Sequence, residues 1–154
     1  MRLEEEIQQE SFESEHHKLM VNLLYTGNWV AALNKKFLKP FGLSPEQYNL
    51  LRILRGMKGA PVTVATLNER MLDKMSNVSR LVEKLRLKKL VERQESSEDR
   101  RQVHVSITET GLALLKKTDQ MMPDLIRRFQ SLDEQQAKEL NALLDQCRNN
   151  NRKI

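Results

Sequence analysis

Apolar residues recur at helical spacing along most of the chain, with charged and polar residues between them. Repeats at i, i+3, i+4 and i+7 predict long helices at about 12–38, 44–57, 111–129 and 133–148. Only five glycines and four prolines punctuate the 154 residues, which favours a mainly helical fold. Pro123 lies within the third of these patterns and is expected to kink or divide that helix.

Signals at the helix ends agree with these patterns. Ser44, Pro45 and Gln47 predict an N-cap, a proline at the first helical position and a completed capping box. Asp133 is the expected N-cap of the last helix, and Leu132 is placed to act as its hydrophobic staple. The starts of these two helices can therefore be predicted to within a few residues.

Two shorter helical patterns follow one another between residues 63 and 87. One side of the first is apolar, at Val64, Leu67 and Met71, and Asp73 is the expected N-cap of the second. The second has an apolar stripe formed by Val78, Leu81, Val82 and Leu85. Its opposite side carries hydroxyl, amide and charged groups, on Ser76, Asn77, Ser79, Arg80, Glu83 and Lys84. Such groups can bind phosphates and base edges, although a solvated surface helix has the same pattern.

Strand character appears only after these helices, in residues 90–94 and 102–107. The second of these segments alternates, and its apolar face consists of Val103, Val105 and Ile107. The polar stretch ESSEDRR between the two segments predicts an antiparallel hairpin. The tip of this hairpin carries three charged residues, Asp99, Arg100 and Arg101. Two short helices followed by a hairpin are the outline of a winged helix-turn-helix.

Positive charge is concentrated in this part of the chain. The net charge of the protein is +5, and residues 52–101 alone hold 13 Lys+Arg and 7 Asp+Glu, a net of +6. Such a local excess points to a polyanionic partner such as nucleic acid. An arginine at the tip suits a narrow minor groove, and Asp99 can pair with one of the two arginines and restrict its rotamers. The alternative for this segment is a solvated charged loop.

From about residue 43 to residue 111 the sequence resembles the MarR family of bacterial transcriptional regulators. The matching residues are Val78-Ser79-Arg80-Leu81, Leu85, Leu90-Val91-Glu92-Arg93, Asp99-Arg100-Arg101 and Ser106-Ile107-Thr108 with Gly111. The resemblance implies a mainly α-helical fold with a small β-hairpin wing. It implies a single domain over residues 1–154, with a winged helix-turn-helix core at about 43–110 and dimerisation helices at about 10–40 and 111–150.

The resemblance also assigns DNA-binding residues on the second short helix and in the wing. They are Ser76, Asn77, Ser79, Arg80, Lys84, Asp99, Arg100 and Arg101. In the wing it pairs Asp99 with Arg101 and makes Arg101 the residue that enters the groove. Lys89 departs from the family pattern, which usually has glycine where this helix ends. Lysine there costs about 1 kcal/mol if the left-handed backbone is kept, and the alternatives are a different helix end or a phosphate contact by Lys89.

By this resemblance we expect a sequence-specific regulator of double-stranded DNA, a repressor more than an activator, released by a small aromatic or anionic effector. Candidate effector contacts are Tyr25, Trp29 and Tyr48, although aromatic residues at helical spacing also suit a core. We expect a homodimer on a pseudo-palindromic operator. Independent support comes from apolar helical surface that a small core cannot cover, at Leu19, Leu23, Leu24, Val30, Leu132, Leu140, Leu143 and Leu144. An intrachain helical bundle is the alternative.

Two other functional classes compete with DNA binding. For an enzyme, the sequence lacks a glycine-rich phosphate loop and a convincing Ser, His and Asp constellation, so no catalytic residue and no cofactor is predicted. The three histidines, His16, His17 and His104, do not form a metal-ligand pattern. A winged helix that binds a protein or structured RNA is the second rival. The cations on the short helix and the hairpin favour DNA, but charge alone does not distinguish DNA from RNA.

Cys147 is the single cysteine, and its place on the last helix predicts a buried structural thiol. The peroxide-sensing members of the family use a cysteine near the start of the first long helix, so that mechanism is not expected here. No apolar run approaches the roughly 18 residues needed to cross a bilayer. The first residues lack the apolar stretch of a secretory signal, so a cytoplasmic protein without membrane contact is expected.

Overall fold

The computed structural model describes residues 2–95 and 103–149 and divides into two compact units, Met1–Thr118 and Asp119–Ile154. The described part of the first unit contains the helices α1 (Leu3–Ile7), α2 (Glu15–Leu38), α3 (Pro45–Gly56), α4 (Val64–Arg70) and α5 (Val78–Leu87). Helix α6 (Glu109–Ile126) begins in the first unit and ends in the second, which also contains α7 (Glu134–Asn149). Short 3-10 turns occupy Lys39–Phe41 and Arg127–Phe129.

The four long helices predicted from periodicity are confirmed as α2, α3, α6 and α7, whereas α1 was not predicted. Five residues are too few for a helical repeat to be recognisable. Pro123 lies inside α6, which continues to Ile126, so the expectation that proline divides this helix is wrong. Proline removes one backbone donor, and the neighbouring turns keep their own hydrogen bonds.

The predicted caps of α3 and α7 are present. Ser44 Oγ accepts a hydrogen bond from the Gln47 amide at 3.2 Å, and Gln47 Oε1 accepts one from the Ser44 amide at 3.1 Å. Asp133 and Gln136 exchange the same pair of bonds at 2.8 and 3.0 Å. These reciprocal bonds satisfy amides that the first helical turn leaves without partners, which is why both helices begin where the sequence indicates.

A three-stranded antiparallel sheet adjoins the short helices, in the order β1 (Val62–Thr63), β3 (Val103–Ile107), β2 (Val91–Glu95). The strands β2 and β3 match the two predicted segments, and their register pairs Val91 with Ile107 and Arg93 with Val105. β1 was not predicted, because two residues cannot show an alternating pattern. Val105 is fully buried, while Val103 and Ile107 at the same face are half-buried.

One hydrophobic core joins α3, α4, α5 and the sheet. Its most buried leucine and valine side chains, at most 1% exposed, are Leu38, Leu50, Leu51, Leu54, Leu67, Leu85, Val105 and Leu115. The core therefore reaches from the end of α2 to the first half of α6, and it holds the two short helices against the sheet.

The C-terminal end of α5 reverses through a left-handed residue. Lys89 has φ 60°, the Lys89 amide donates to Arg86 O at 2.8 Å, and the Leu90 amide donates to Leu85 O at 3.0 Å. This pair of bonds is the Schellman motif, in which glycine is the preferred residue at the left-handed position. The backbone is therefore the one that glycine would favour, although lysine occupies the position.

A threonine joins this reversal to the start of α6. Thr108 Oγ1 donates to Lys89 O at 2.8 Å and accepts from the Gly111 amide at 3.1 Å. A Cβ atom on Gly111 would lie 2.4 Å from Leu90 O and 2.7 Å from Ile107 Cγ1, distances that a side chain cannot occupy. Glycine at position 111 therefore allows α6 to begin in direct contact with the backbone after α5.

The second unit, taken by itself, buries little of its apolar surface. Helix α7 has no buried residue, and Ile126, Phe129 and Leu143 are exposed. Cys147 is exposed as well, so the prediction of a buried thiol is wrong. An amphipathic helix provides a buried position only where another element covers its apolar side.

Replacing Lys89 by glycine is expected to raise the free energy of unfolding by about 1 kcal/mol, because glycine adopts φ 60° without the penalty of a Cβ atom. Urea unfolding at one fixed protein concentration measures the change. Lys89→Ala is the matched control, since it removes the same charge but keeps Cβ, and it should give no such gain. Equal stability of the two variants would show that the Lys89 backbone carries no strain.

Replacing Gly111 by alanine is expected to destabilise the protein by about 1–3 kcal/mol, since the new methyl group overlaps Leu90 O and Ile107. Gly56→Ala is the control, because nothing lies within 4 Å of a Cβ atom at that position. Thermal unfolding followed by circular dichroism compares the two variants. A Gly111→Ala melting temperature equal to that of Gly56→Ala would contradict the close approach of the two segments.

Candidate nucleic-acid interface

Helix α5 has one buried and one exposed side. Val78, Val82 and Leu85 are buried and Leu81 is half-buried, so the predicted apolar stripe is confirmed. The opposite side exposes three of the predicted DNA-binding residues, Ser79, Arg80 and Lys84. Hydroxyl, guanidinium and ammonium groups on one exposed side can donate hydrogen bonds to phosphate oxygens and to the acceptor edges of bases.

The start of α5 differs from the prediction. Asn77 is the N-cap, and its side-chain oxygen accepts from the Arg80 amide at 3.0 Å. Asp73 instead accepts from the Met75 amide and from Ser76 Oγ, both at 2.9 Å. The predictions that Asp73 caps this helix and that it begins near residue 74 are therefore wrong, because the aspartate stabilises the tight turn before it. Ser76 and Asn77 lie in front of the helix.

The cations near the end of α5 have protein partners. Arg86 donates to both carboxylate oxygens of Glu83, at 2.9 and 2.8 Å, and these bonds lower the pKa of Glu83. Lys88 Nζ donates to Gly42 O at 2.5 Å and to Gln47 Oε1 at 3.0 Å. The positive charge of Arg86 is thus balanced within the helix, and Lys88 links the end of α5 to the start of α3.

The wing is described only at its base. Strands β2 and β3 pair as far as Glu95 with Val103, so the residues that follow and precede them leave the sheet side by side. The predicted contact residues Asp99, Arg100 and Arg101 lie outside the described residues. Their contact with DNA stays a prediction.

A cavity of about 330 Å³ lies between α2, α3 and the turn before α5. Its lining residues are Asn34, Leu38, Pro45, Glu46, Tyr48, Asn49, Arg52, Met71, Leu72 and Asp73. Arg52 Nη1 donates to the Tyr48 hydroxyl at 3.0 Å, and the guanidinium carbon lies 5.7 Å from the centre of the Tyr48 ring. The cavity thus offers apolar walls, an aromatic ring and a cation.

The three aromatic residues predicted to line an effector pocket are not in one place. Tyr48 lines the cavity, whereas Tyr25 and Trp29 are partly exposed residues of α2 and are absent from its lining. Tyr25 donates its hydroxyl proton to Glu6 of α1 at 2.8 Å, and this hydrogen bond raises the pKa of Tyr25. An effector contact by Tyr25 or Trp29 stays a prediction.

Comparison with known proteins identifies the family. A sequence profile of the MarR family matches residues 41–102, the segment that contains α3, α4, α5 and β2. The HTH-type transcriptional repressor IacR of Pseudomonas putida is 27% identical over 112 residues, which are 72% of this chain. The chain belongs to the MarR family. The matched region spans 66% of IacR, slightly less than two thirds of its length.

Solved MarR-type structures have the same fold over most of the chain. A mutant of E. coli MarR complexed with operator DNA is 22% identical, with a TM-score of 0.77 over 96% of this chain and 99% of that one. The organohalide-sensing regulator RdhR in its 2,4-dichlorophenol-bound form is 20% identical, with a TM-score of 0.80 over 92% and 86%. The predicted fold class, a mainly α-helical winged helix-turn-helix with a small sheet, is confirmed. This MarR-family chain is a transcriptional regulator, and its family is one of regulators and not of enzymes.

Arg52 and Asn49 are features of this MarR-family chain that sequence reasoning missed. The Tyr48 and Arg52 pair has i, i+4 spacing on a helix, a signal from which their contact could have been predicted. Asn49 Oδ1 accepts from the Leu72 amide at 2.9 Å, a contact 23 residues apart that no local pattern indicates. Within the described residues no three His, Cys, Asp or Glu side chains gather as metal ligands, and no helix has the length and apolar character of a membrane span.

Proposed function

We propose that the protein is a homodimeric repressor that binds double-stranded operator DNA through α5 and the wing. We further propose that a small aromatic or anionic molecule releases it. The observation that carries the proposal is the exposed side of α5, where Ser79, Arg80 and Lys84 lie opposite a buried apolar stripe. A cytoplasmic location accords with this function.

The DNA contacts are proposed for the start of α5 and the wing. Recognition helices of this kind enter the major groove with their N-terminal residues. In this chain those residues are Ser76, Asn77, Ser79 and Arg80, with Lys84 one turn further along. Asp99, Arg100 and Arg101 would add contacts to the neighbouring minor groove and phosphates.

A second copy of the chain is proposed to cover apolar surface that each unit leaves exposed. On α2 the exposed residues are Leu19, Met20, Leu23, Leu24, Tyr25 and Trp29. In the second unit they are Met121, Ile126, Phe129, Leu132, Leu140 and Leu143. A two-fold dimer would present two recognition helices to half-sites about one helical turn apart, and the operator would then be pseudo-palindromic. An intrachain bundle is the alternative use of these surfaces.

The effector is proposed to bind in the cavity beside Tyr48 and Arg52. The guanidinium can pair with a carboxylate or phenolate, and the Tyr48 ring can stack on an aromatic ligand. RdhR, which shares the fold, was solved with 2,4-dichlorophenol bound. A ligand releases DNA only if it binds the DNA-incompetent shape more tightly than the competent one. Leu72 and Asp73 line the cavity and precede α5, so a ligand there would contact the turn that positions the recognition helix.

A winged helix that binds a protein or structured RNA is the alternative function. The exposed cations Arg80 and Lys84 favour a nucleic acid over a protein, and the operator complex of E. coli MarR favours duplex DNA within this fold. Comparing a duplex with a single strand and a structured RNA separates these alternatives.

Arg80→Ala is expected to weaken binding to an upstream duplex about tenfold or more and to lower the salt dependence by about one unit per lost phosphate contact. Arg86→Ala is the matched control on the same helix, and its effect should be much smaller because Glu83 already balances its charge. Fluorescence anisotropy with the upstream duplex and a scrambled duplex, titrated with salt, measures both. Arg101→Ala tests the wing in the same assay and should weaken binding without changing the melting temperature.

The outcomes of this experiment separate the proposals. Equal losses for Arg80→Ala and Arg86→Ala would remove the exposed side of α5 from the interface. Unchanged affinity for Arg101→Ala would contradict the wing contact. Stronger binding to structured RNA than to any duplex would replace the operator proposal with its alternative, and sedimentation as a monomer at micromolar concentration would contradict the dimer.

Effector binding is expected to require Arg52. Benzoates and phenols screened by thermal shift should include stabilising compounds, and Arg52→Ala should weaken their apparent affinity about tenfold, the usual value of a charge-assisted hydrogen bond. Arg55→Ala is the control, since Arg55 belongs to the same helix but does not line the cavity. No stabilisation of the wild type by any compound, or equal affinities of the two variants, would contradict the cavity as the effector site.

A further inference from the structure

Two large apolar side chains stand in solvent immediately before the recognition helix. Met75 is 92% exposed and Leu72 is 87% exposed, the highest values among the large hydrophobic side chains of the described residues. A single exposed apolar residue is common on protein surfaces and needs no explanation. Two of them within four residues, at the entrance to the helix proposed to bind DNA, form an apolar patch in an otherwise polar surface.

The backbone of this turn is fixed by hydrogen bonds. The Asp73 carboxylate accepts from the Met75 amide and from Ser76 Oγ, both at 2.9 Å. The Leu72 amide is held by Asn49 Oδ1 of α3 at 2.9 Å, and Lys74 Nζ donates to Glu69 O at 2.5 Å. The exposure of Met75 is therefore a consequence of a defined turn.

The two residues have different surroundings. Leu72 lines the cavity between α2, α3 and the turn, whereas Met75 is not part of that lining. Met75 lies two residues before the N-cap Asn77 and precedes the exposed residues Ser79 and Arg80. The surface around it is cationic, which suits a polyanion better than an apolar protein partner.

We propose that Met75 contacts the 5-methyl group of a thymine in the major groove of the operator and so contributes to sequence specificity. This inference rests on the proposed function as a repressor that binds duplex DNA. The thymine methyl group is the apolar feature of the major groove, and residues at the N-terminal end of a recognition helix reach base edges. The unbranched thioether chain of methionine adapts to such a surface more readily than a branched side chain.

The test combines a protein variant with a base analogue. Each thymine of one operator half-site, and its symmetry mate, is replaced in turn by deoxyuridine, which lacks only the 5-methyl group. At one position the wild type should lose about fourfold in affinity per half-site, the usual effect of withdrawing one methyl group from an apolar contact. Met75→Ala should lose a similar factor on the unmodified operator and lose nothing further at that same position.

Leu87→Ala is the matched control. Leu87 is a 69% exposed leucine at the opposite end of the same helix, so its truncation removes comparable apolar surface away from the proposed contact. This variant should keep both the operator affinity and the sensitivity to deoxyuridine of the wild type. Circular dichroism and the melting temperature check that both variants remain folded, as expected for exposed positions.

Three results would overturn the inference while leaving the repressor proposal standing. They are a wild type that is indifferent to every deoxyuridine, a Met75→Ala variant with full operator affinity, and a Met75→Ala variant that keeps the deoxyuridine sensitivity of the wild type. Equal wild-type affinity for operator and scrambled duplexes would instead overturn the proposed function and this inference together. The scrambled-duplex measurement therefore comes first.

Discussion

The burial of one side of α5 is the constraint on which the rest of the candidate interface depends. Val78, Val82 and Leu85 pack into the core shared with α3, α4 and β2. Each such side chain contributes about 1.5–3 kcal/mol when it leaves water, so rotating the helix would cost several times the energy of one surface contact. The polar residues Ser79, Arg80 and Lys84 are therefore held outward, and any partner meets them in the same arrangement.

Both ends of α5 are fixed by groups other than its own apolar stripe. At its start, Asn77 caps the first turn and Asp73 closes the turn before it. At its end, the left-handed Lys89 directs the chain toward β2, and the Thr108 hydroxyl connects Lys89 O to the Gly111 amide of α6. Because Gly111 lies directly against the Leu90 carbonyl, the end of α5 and the start of α6 cannot move far apart independently.

The sequence predicts the features that local patterns decide. The stripe from Val78 to Leu85, the alternation in β3 and the capping boxes at Ser44 and Asp133 all follow from periodicity or from a short motif, and all are present. The choice between Asp73 and Asn77 as the cap of α5 was wrong because both residues are good N-caps. The position of the turn between them depends on Asn49, which is 23 residues from Leu72. The cavity beside Tyr48 was foreseen only in part, since its walls come from three separate segments. Cys147 was misjudged because the burial of an amphipathic helix depends on what covers it.

The turn from Met71 to Asn77 belongs to both the cavity and the proposed DNA-binding face. Leu72 and Asp73 line the cavity, and the same turn places Asn77, so a molecule that moves Leu72 also moves the start of the recognition helix. The hydrogen bond from the Leu72 amide to Asn49 opposes that movement by about 1 kcal/mol, the usual net value of such a bond. A ligand that binds the displaced shape a hundredfold more tightly supplies about 2.7 kcal/mol, which exceeds this resistance. Release from DNA in the proposed mechanism therefore needs only a small displacement of one turn.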